Sequence, residues 1–147
     1  MCARSMREMT SEKCPFCRVP ESALVVHETA NTYSIISKNP INTHHILVIP
    51  KAHYESFSEM SDEIASEVFI HAKMLSSTIH AICQPDGMAH LSDDDFSDAG
   101  YNLVKHYKFH VFPRYSDDGI EQKWSRVPDP GDEGRSQLAQ SIREALT

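Results

Sequence analysis

The chain has 147 residues, 40% of them hydrophobic and 24% charged, with a formal net charge of −7. That length suits one domain with its own hydrophobic core, and the acidic balance excludes non-specific nucleic-acid binding, which needs a basic surface to displace phosphate counterions. No apolar run approaches a membrane span, and "MCARSMREMT" lacks the apolar stretch of a secretory signal, so the expectation is a cytoplasmic protein with neither a membrane nor a nucleic-acid partner. In that compartment the four cysteines are metal ligands or inert thiols rather than a disulfide framework.

In chain order, residues 1–11 read as a disordered leader, residues 12–125 as the domain, and residues 126–147 as a C-terminal extension. "CPFC" (14–17) is a tight turn. "SALVVHE" and "TYSIIS", rich in β-branched residues and separated by "TAN", predict a hairpin. After a loop marked by Asn39, Pro40 and Asn42, "HHILVIP" predicts a buried strand ending at Pro50. "SDEIASEVFIHAKMLSSTIHAIC" is the clearest helix: Ser61 can cap it, and Ile64, Val68, Leu75, Ile79 and Ile82 recur at helical spacing. "GMAHLS" is a short strand, "DDDFSDAG" an acidic loop, "NLVKHYKFHVFP" (102–113) a long final strand, and "SQLAQSIREAL" (136–146) a short closing helix. Strands with one central helix and no βαβ alternation predict an α+β domain on an antiparallel sheet.

Two motifs carry chemistry. Cys14 and Cys17 form C-x-x-C, which lets two thiolates converge on one cation, and two histidines elsewhere would complete a tetrahedral set. A thioredoxin-type redox pair is the competitor, but that motif opens a helix after a strand. The chain has nine histidines, so spacing alone does not choose the partners. In "KHYKFHVFPR" (105–114), His106, Lys108 and His110 stand at every second position, which in a strand puts two imidazoles and an amine on one face.

The ordered set "CPFC", "HILVIPKAH" and "HYKFHVFPR" resembles the histidine-triad (HIT) family, from about Cys14 to Trp124. The resemblance implies an α+β nucleotide-binding protein, a sheet of about five strands with one long central helix, and a homodimer whose sheets join across the two-fold. It also implies attack of a histidine on a nucleotide α-phosphate, with water resolving the nucleotidyl-histidine. By the same resemblance Cys14, Cys17, His53 and His106 bind a structural zinc ion.

In this family the middle triad histidine is the nucleophile, and that position is Lys108. His110 is the third triad position, and His45 matches a histidine facing the triad; both are candidate acid–base groups. Asn102 replaces a glutamine near the phosphate, and Asn42 lies in "NPINTHH", which is similar to the diadenosine-polyphosphate phosphorylase branch; with His110 these are the candidate nucleotide contacts. Tyr101 and Leu103 replace a glycine and a serine, Ser37 stands where a ribose-binding acid is expected, and the carboxylates of the acidic loop would repel a phosphate. Lys108 is then a lysine nucleophile with a depressed pKa, a cation holding an anion, or a cleft residue of a fold without catalysis.

Three readings follow: a nucleotide phosphohydrolase or nucleotidyl transferase acting on a (di)nucleoside phosphate; a catalytically inactive, zinc-stabilised protein that binds a nucleotide or other anion; and a partner-binding scaffold. Cys83 reads as helix packing, and His27, His71, His80 and His90 carry no motif.

Overall fold

The computed structural model describes residues 13–21, 24–97, 99–121 and 124–146, so the expected leader lies outside the described residues. Strands β1 (Val25–Glu28), β2 (Thr32–Ile36) and β3 (Ile46–Pro50) are followed by a short 3-10 turn (Phe57–Glu59) and the long helix α1 (Asp62–Cys83). Then come β4 (Gly87–Leu91), β5 (Phe109–Arg114) and α2 (Gly131–Ala145). The five strands form one sheet in the order β1-β2-β3-β5-β4, antiparallel throughout.

Strand β3 lies at the centre and is buried on both faces, which is why "ILVIP" reads as a continuous apolar run. Its alternate residues serve different layers. Ile46 and Val48 join Val68, Leu75, Ile79 and Val111 between α1 and the sheet. Leu47 and Ile49 join Tyr33 and Ile35 on the other face, where Phe16 of the "CPFC" turn packs against them. Helix α1 forms as its sequence dictates. Ser61 accepts the Ile64 N–H at 3.3 Å, Asp62 and Glu63 face the positive end of the helix dipole, and Gln84 ends it in the left-handed region at φ 46°. Ile82, expected on the apolar face, is instead 67% exposed, because the sheet-facing stripe runs through Leu75, Ile79 and Cys83 and leaves Ile82 to one side.

His71 of α1 is buried against β2, with Nδ1 2.7 Å from Thr32 Oγ1 and Nε2 3.1 Å from Ser34 Oγ. Thr32 Oγ1 in turn lies 2.6 Å from Thr29 Oγ1, which donates to Glu67. The ionised Glu67 can only accept, which sets the direction of the chain. Thr29 donates to Glu67, Thr32 to Thr29 and His71 Nδ1–H to Thr32, while His71 Nε2 faces Ser34 Oγ, whose hydroxyl also reaches the His27 carbonyl at 3.2 Å. Burial, with His27 adding to it, lowers the His71 pKa to about 4 and keeps the ring neutral at pH 7.

Two boundaries differ from the sequence reading. The final strand begins at Phe109, not residue 102, because residues 101–108 are held in an irregular path by the side-chain contacts described below. Helix α2 begins at Gly131 rather than 136: Asp132 and Glu133 favour its first turn, and the Gly131 N–H is bonded to Asp129 Oδ1 at 3.0 Å.

The His71 network sets a pH dependence. A histidine near 6.5 in the unfolded chain and about 4 in the folded one contributes stability that is present above pH 6.5 and lost as pH falls towards 4. The contribution is on the order of 3 kcal/mol. In denaturant unfolding between pH 7 and pH 4, His71→Gln is expected to give a visibly shallower loss of stability than the wild type; equal slopes would refute this assignment.

Candidate functional site

The site lies on the sheet face opposite α1 and comprises two adjoining centres. The first begins with the "CPFC" turn. The Cys17 N–H reaches the Cys14 carbonyl at 3.2 Å, and the buried Tyr33 hydroxyl donates to the Phe16 carbonyl at 2.8 Å, fixing the turn to β2. His53 follows β3 and His106 precedes β5. The thiols and imidazoles meet: His106 Nδ1 is 3.4 Å from Cys14 Sγ, and His53 Nδ1 is 3.2 Å from Cys17 Sγ. One ligand atom from each of the four residues lies within 4.8 Å of every other.

The surroundings favour a cation. His106 Nε2 lies 2.8 Å from the Pro50 carbonyl, so that nitrogen carries the proton and Nδ1 turns its lone pair toward the thiols. Burial lowers the His106 pKa to about 4, keeping the ring neutral. Burial and the neighbouring Cys14 push Cys17 up to about 11. His53 Nε2 is buried without a hydrogen bond, and the Glu55 carboxylate is 3.6 Å from it. Two soft sulfurs and two imidazole nitrogens form a set that can hold a tetrahedral divalent metal ion.

The second centre is formed by His45, Lys108 and His110. His44 takes a left-handed conformation at φ 64°, and the chain then enters β3 with His45 buried. His45 Nδ1 accepts the Ile41 N–H at 3.0 Å, so its Nε2 carries the proton and donates to His110 Nδ1 at 2.9 Å. Both rings are neutral: burial lowers the His45 pKa, and burial, with His45 and Lys108 nearby, lowers that of His110 to about 4.

Lys108 does not simply alternate with the two histidines along a strand. Its Nζ donates to Asn102 Oδ1 and, at 2.9 Å, to the Val104 carbonyl, and sits 5.4 Å from the centre of the Phe16 ring. Burial lowers its pKa to about 8, so the ammonium form still dominates at pH 7. Two of its three donors are engaged by the loop, leaving one.

Asn42 and several neighbouring polar side chains have structural partners. Asn42 Nδ2 donates to the Pro113 carbonyl at 3.1 Å, while its Oδ1 accepts the Thr43 N–H at 2.9 Å, bracing the loop before β3 against the end of β5. Arg114 is bound to Asp118 at 2.7 Å and to the Ile120 carbonyl at 2.8 Å, and Lys51 to Glu28 and to the Thr29 carbonyl. Cys83 is half-buried, with Sγ 3.4 Å from His44 Nδ1.

The acidic loop also has a structural role, beyond its charge. Asp94 accepts the Phe57 N–H, and the buried Asp95 accepts the N–H groups of Ser97 and Gly100, both at 3.0 Å, and that of Asn102. Burial opposes ionisation of Asp95, but these donors outweigh it and lower its pKa. Asp95 thus shapes the loop that presents Asn102 to Lys108. Asp-x-Ser is a local turn signal from which this role could have been read; the Val104 and Pro50 carbonyls leave no such signal.

This chain matches the HIT domain model over residues 20–117. It is 34% identical over 119 residues to a HIT-like protein of Methanocaldococcus jannaschii, covering 78% of this chain and 88% of that one. It is 28% identical over 108 residues to an adenosine 5′-monophosphoramidase of Candida albicans, covering 69% and 70%. Among solved structures, a HIT family member of Bacillus subtilis aligns with TM-score 0.78 and 28% identity over 91% of this chain and 97% of that one. A zinc-bound histidine triad family protein of Mycobacterium smegmatis aligns with TM-score 0.65 and 26% identity over 92% and 99%. With the family model spanning most of the domain and the same five-stranded sheet in these structures, the chain belongs to the HIT domain family.

Proposed function

We propose that this chain binds the phosphate of a nucleoside phosphate at Lys108, with His110 and Asn102 beside it, and that Lys108 acts as a fixed cation rather than as the nucleophile. The observation that carries this reading is the Lys108 ammonium, held by Asn102 and Val104 with a donor to spare. An ammonium has no lone pair with which to attack phosphorus, whereas a charged donor held in place is what phosphate binding needs. The nucleotide as ligand is supported by family membership and by the monophosphoramidase relative.

In this reading the His45–His110 pair is a neutral hydrogen-bonding wall: His45 fixes the His110 tautomer, leaving Nε2–H as a donor. Asn102 acts by orienting Lys108, and Asn42 by bracing the loop that delivers His45. The cluster of Cys14, Cys17, His53 and His106 holds a structural zinc ion that joins the N-terminal turn to the strand ends; all four positions are protein ligands, which closes the site to substrate. The protein is a homodimer joined at β4, one of the two outer strands of the sheet, where pairing would cover exposed N–H and C=O groups.

A second reading, supported by the lowered Lys108 pKa of about 8, is a hydrolase or nucleotidyl transferase in which the free amine forms a phosphoramidate. The two readings have opposite pH trends. Affinity for adenosine monophosphate measured calorimetrically is expected to fall as pH rises through about 8, and Lys108→Ala to weaken it about tenfold or more at pH 7. Turnover of adenosine 5′-phosphoramidate that rises over the same range and vanishes in Lys108→Ala would establish the amine as nucleophile. Undiminished binding by Lys108→Ala would remove the lysine from the phosphate site.

The metal assignment has its own test. Purified protein is expected to carry one zinc per chain by elemental analysis, and Cys14→Ser to lose most of it along with several kcal/mol of stability, on the order of what removal of a structural ligand costs. Full zinc content in Cys14→Ser would exclude that thiol from the site.

A further inference from the structure

The two imidazoles of the Cys14–Cys17–His53–His106 cluster are served unequally at their outer nitrogens. His106 Nε2 lies 2.8 Å from the Pro50 carbonyl, a fixed backbone acceptor. His53 Nε2 is buried and has no hydrogen-bond partner; among the described residues it is the one buried side-chain nitrogen or oxygen so left.

That nitrogen carries the proton in any arrangement that uses His53 as a ligand. Its Nδ1 is the atom turned to the cluster, 3.2 Å from Cys17 Sγ, and a neutral imidazole that ligates through one nitrogen bears its N–H on the other. An acceptor for this N–H fixes the tautomer and makes the ligating nitrogen more basic. A buried donor without one keeps its full desolvation penalty.

One acceptor stands beside it. Glu55 Oε1 is 3.6 Å from His53 Nε2, just outside hydrogen-bond range, so closure needs a shift of less than about 1 Å. The backbone around Glu55 is anchored. The Tyr54 carbonyl accepts the Tyr107 N–H at 2.5 Å, and the Phe57 N–H is bonded to Asp94 Oδ1 at 3.0 Å. Glu59 accepts the N–H groups of Glu55 and Ser56 at 2.7 Å and 3.3 Å, so its carboxylate is committed to this turn. The Glu55 side chain is 42% exposed and has room to rotate while the backbone stays in place.

The geometry points to Glu55 as a positioning residue of the metal cluster: its carboxylate accepts the His53 Nε2–H when the four ligands close on a metal ion, and thereby raises the affinity of the site. This rests on the zinc reading given above and adds to it a residue outside the ligand set. The two histidines then differ in kind, one held by a backbone carbonyl and the other by a side chain that substitution can remove.

The test uses the full, zinc-loaded chain. In competition with a chromophoric chelator, Glu55→Ala is expected to hold zinc about tenfold or more weakly than the wild type. Glu55→Gln, which keeps an acceptor oxygen without the charge, should fall between them. A second readout separates this bond from a general loosening. In protein with nitrogen-labelled histidines, the His53 Nε2–H resonance should exchange slowly with water in the wild type and rapidly in Glu55→Ala. That of His106, bonded to Pro50, should stay slow in both. Equal zinc affinities of wild type and Glu55→Ala would overturn the inference and leave the metal cluster standing. So would an unchanged His53 resonance, or one lost together with that of His106. A wild type without zinc would overturn the metal reading itself, and this inference with it.

Discussion

The buried imidazole of His106 ties the N-terminal turn, the end of β3 and the approach to β5 to one another. Its Nε2 is bonded to the carbonyl at the end of β3, and its Nδ1 faces the thiols of the N-terminal turn. The residue next but one, Lys108, then lies beside Phe16 and the loop at 102–104. The Cys14–Cys17–His53–His106 cluster and the Lys108 centre are consequently adjoining parts of one construction, with His106 only two residues upstream of Lys108.

Burial governs the electrostatics of this face. His45, His106 and His110 are all pushed toward neutrality by removal from water, and Lys108 is pushed the same way without crossing neutral pH. The chain as a whole is acidic, yet Asp94 and Asp95, the carboxylates nearest in sequence to the centre, are committed to backbone donors. A single ammonium therefore sits among neutral rings, where low dielectric strengthens its attraction for an anion.

Much of this was legible in residue order. The strand assignments of "TYSIIS" and "HHILVIP" and the α1 periodicity carried over, because apolar alternation and capping are local signals. The convergence of Cys14, Cys17, His53 and His106 was anticipated through the family resemblance, since contacts across 92 residues leave no trace in spacing. The start of β5 was misread because alternation of His106, Lys108 and His110 mimics a strand. In the structure His106 and Lys108 belong to an irregular segment held by side-chain contacts, and only His110 lies in the strand. The acidic loop was legible only in part: composition registers its charge but not the backbone N–H groups that Asp95 satisfies. The Asn42 amide bond to the Pro113 carbonyl, 71 residues away, likewise leaves no trace in spacing.

The sheet order also bears on how the chain folds as it is synthesised. Strand β3 must lie between β2 and β5, but β5 is the last strand made. A nascent chain complete to the end of α1 has the β1–β2–β3 meander and the helix, with one edge of its most apolar strand open. At about 5–20 residues per second that edge stays exposed for seconds before β5 emerges. An exposed edge of this kind is a template for pairing with another chain, so the sheet's central position for "ILVIP" makes late delivery of β5 the point at which folding and aggregation compete.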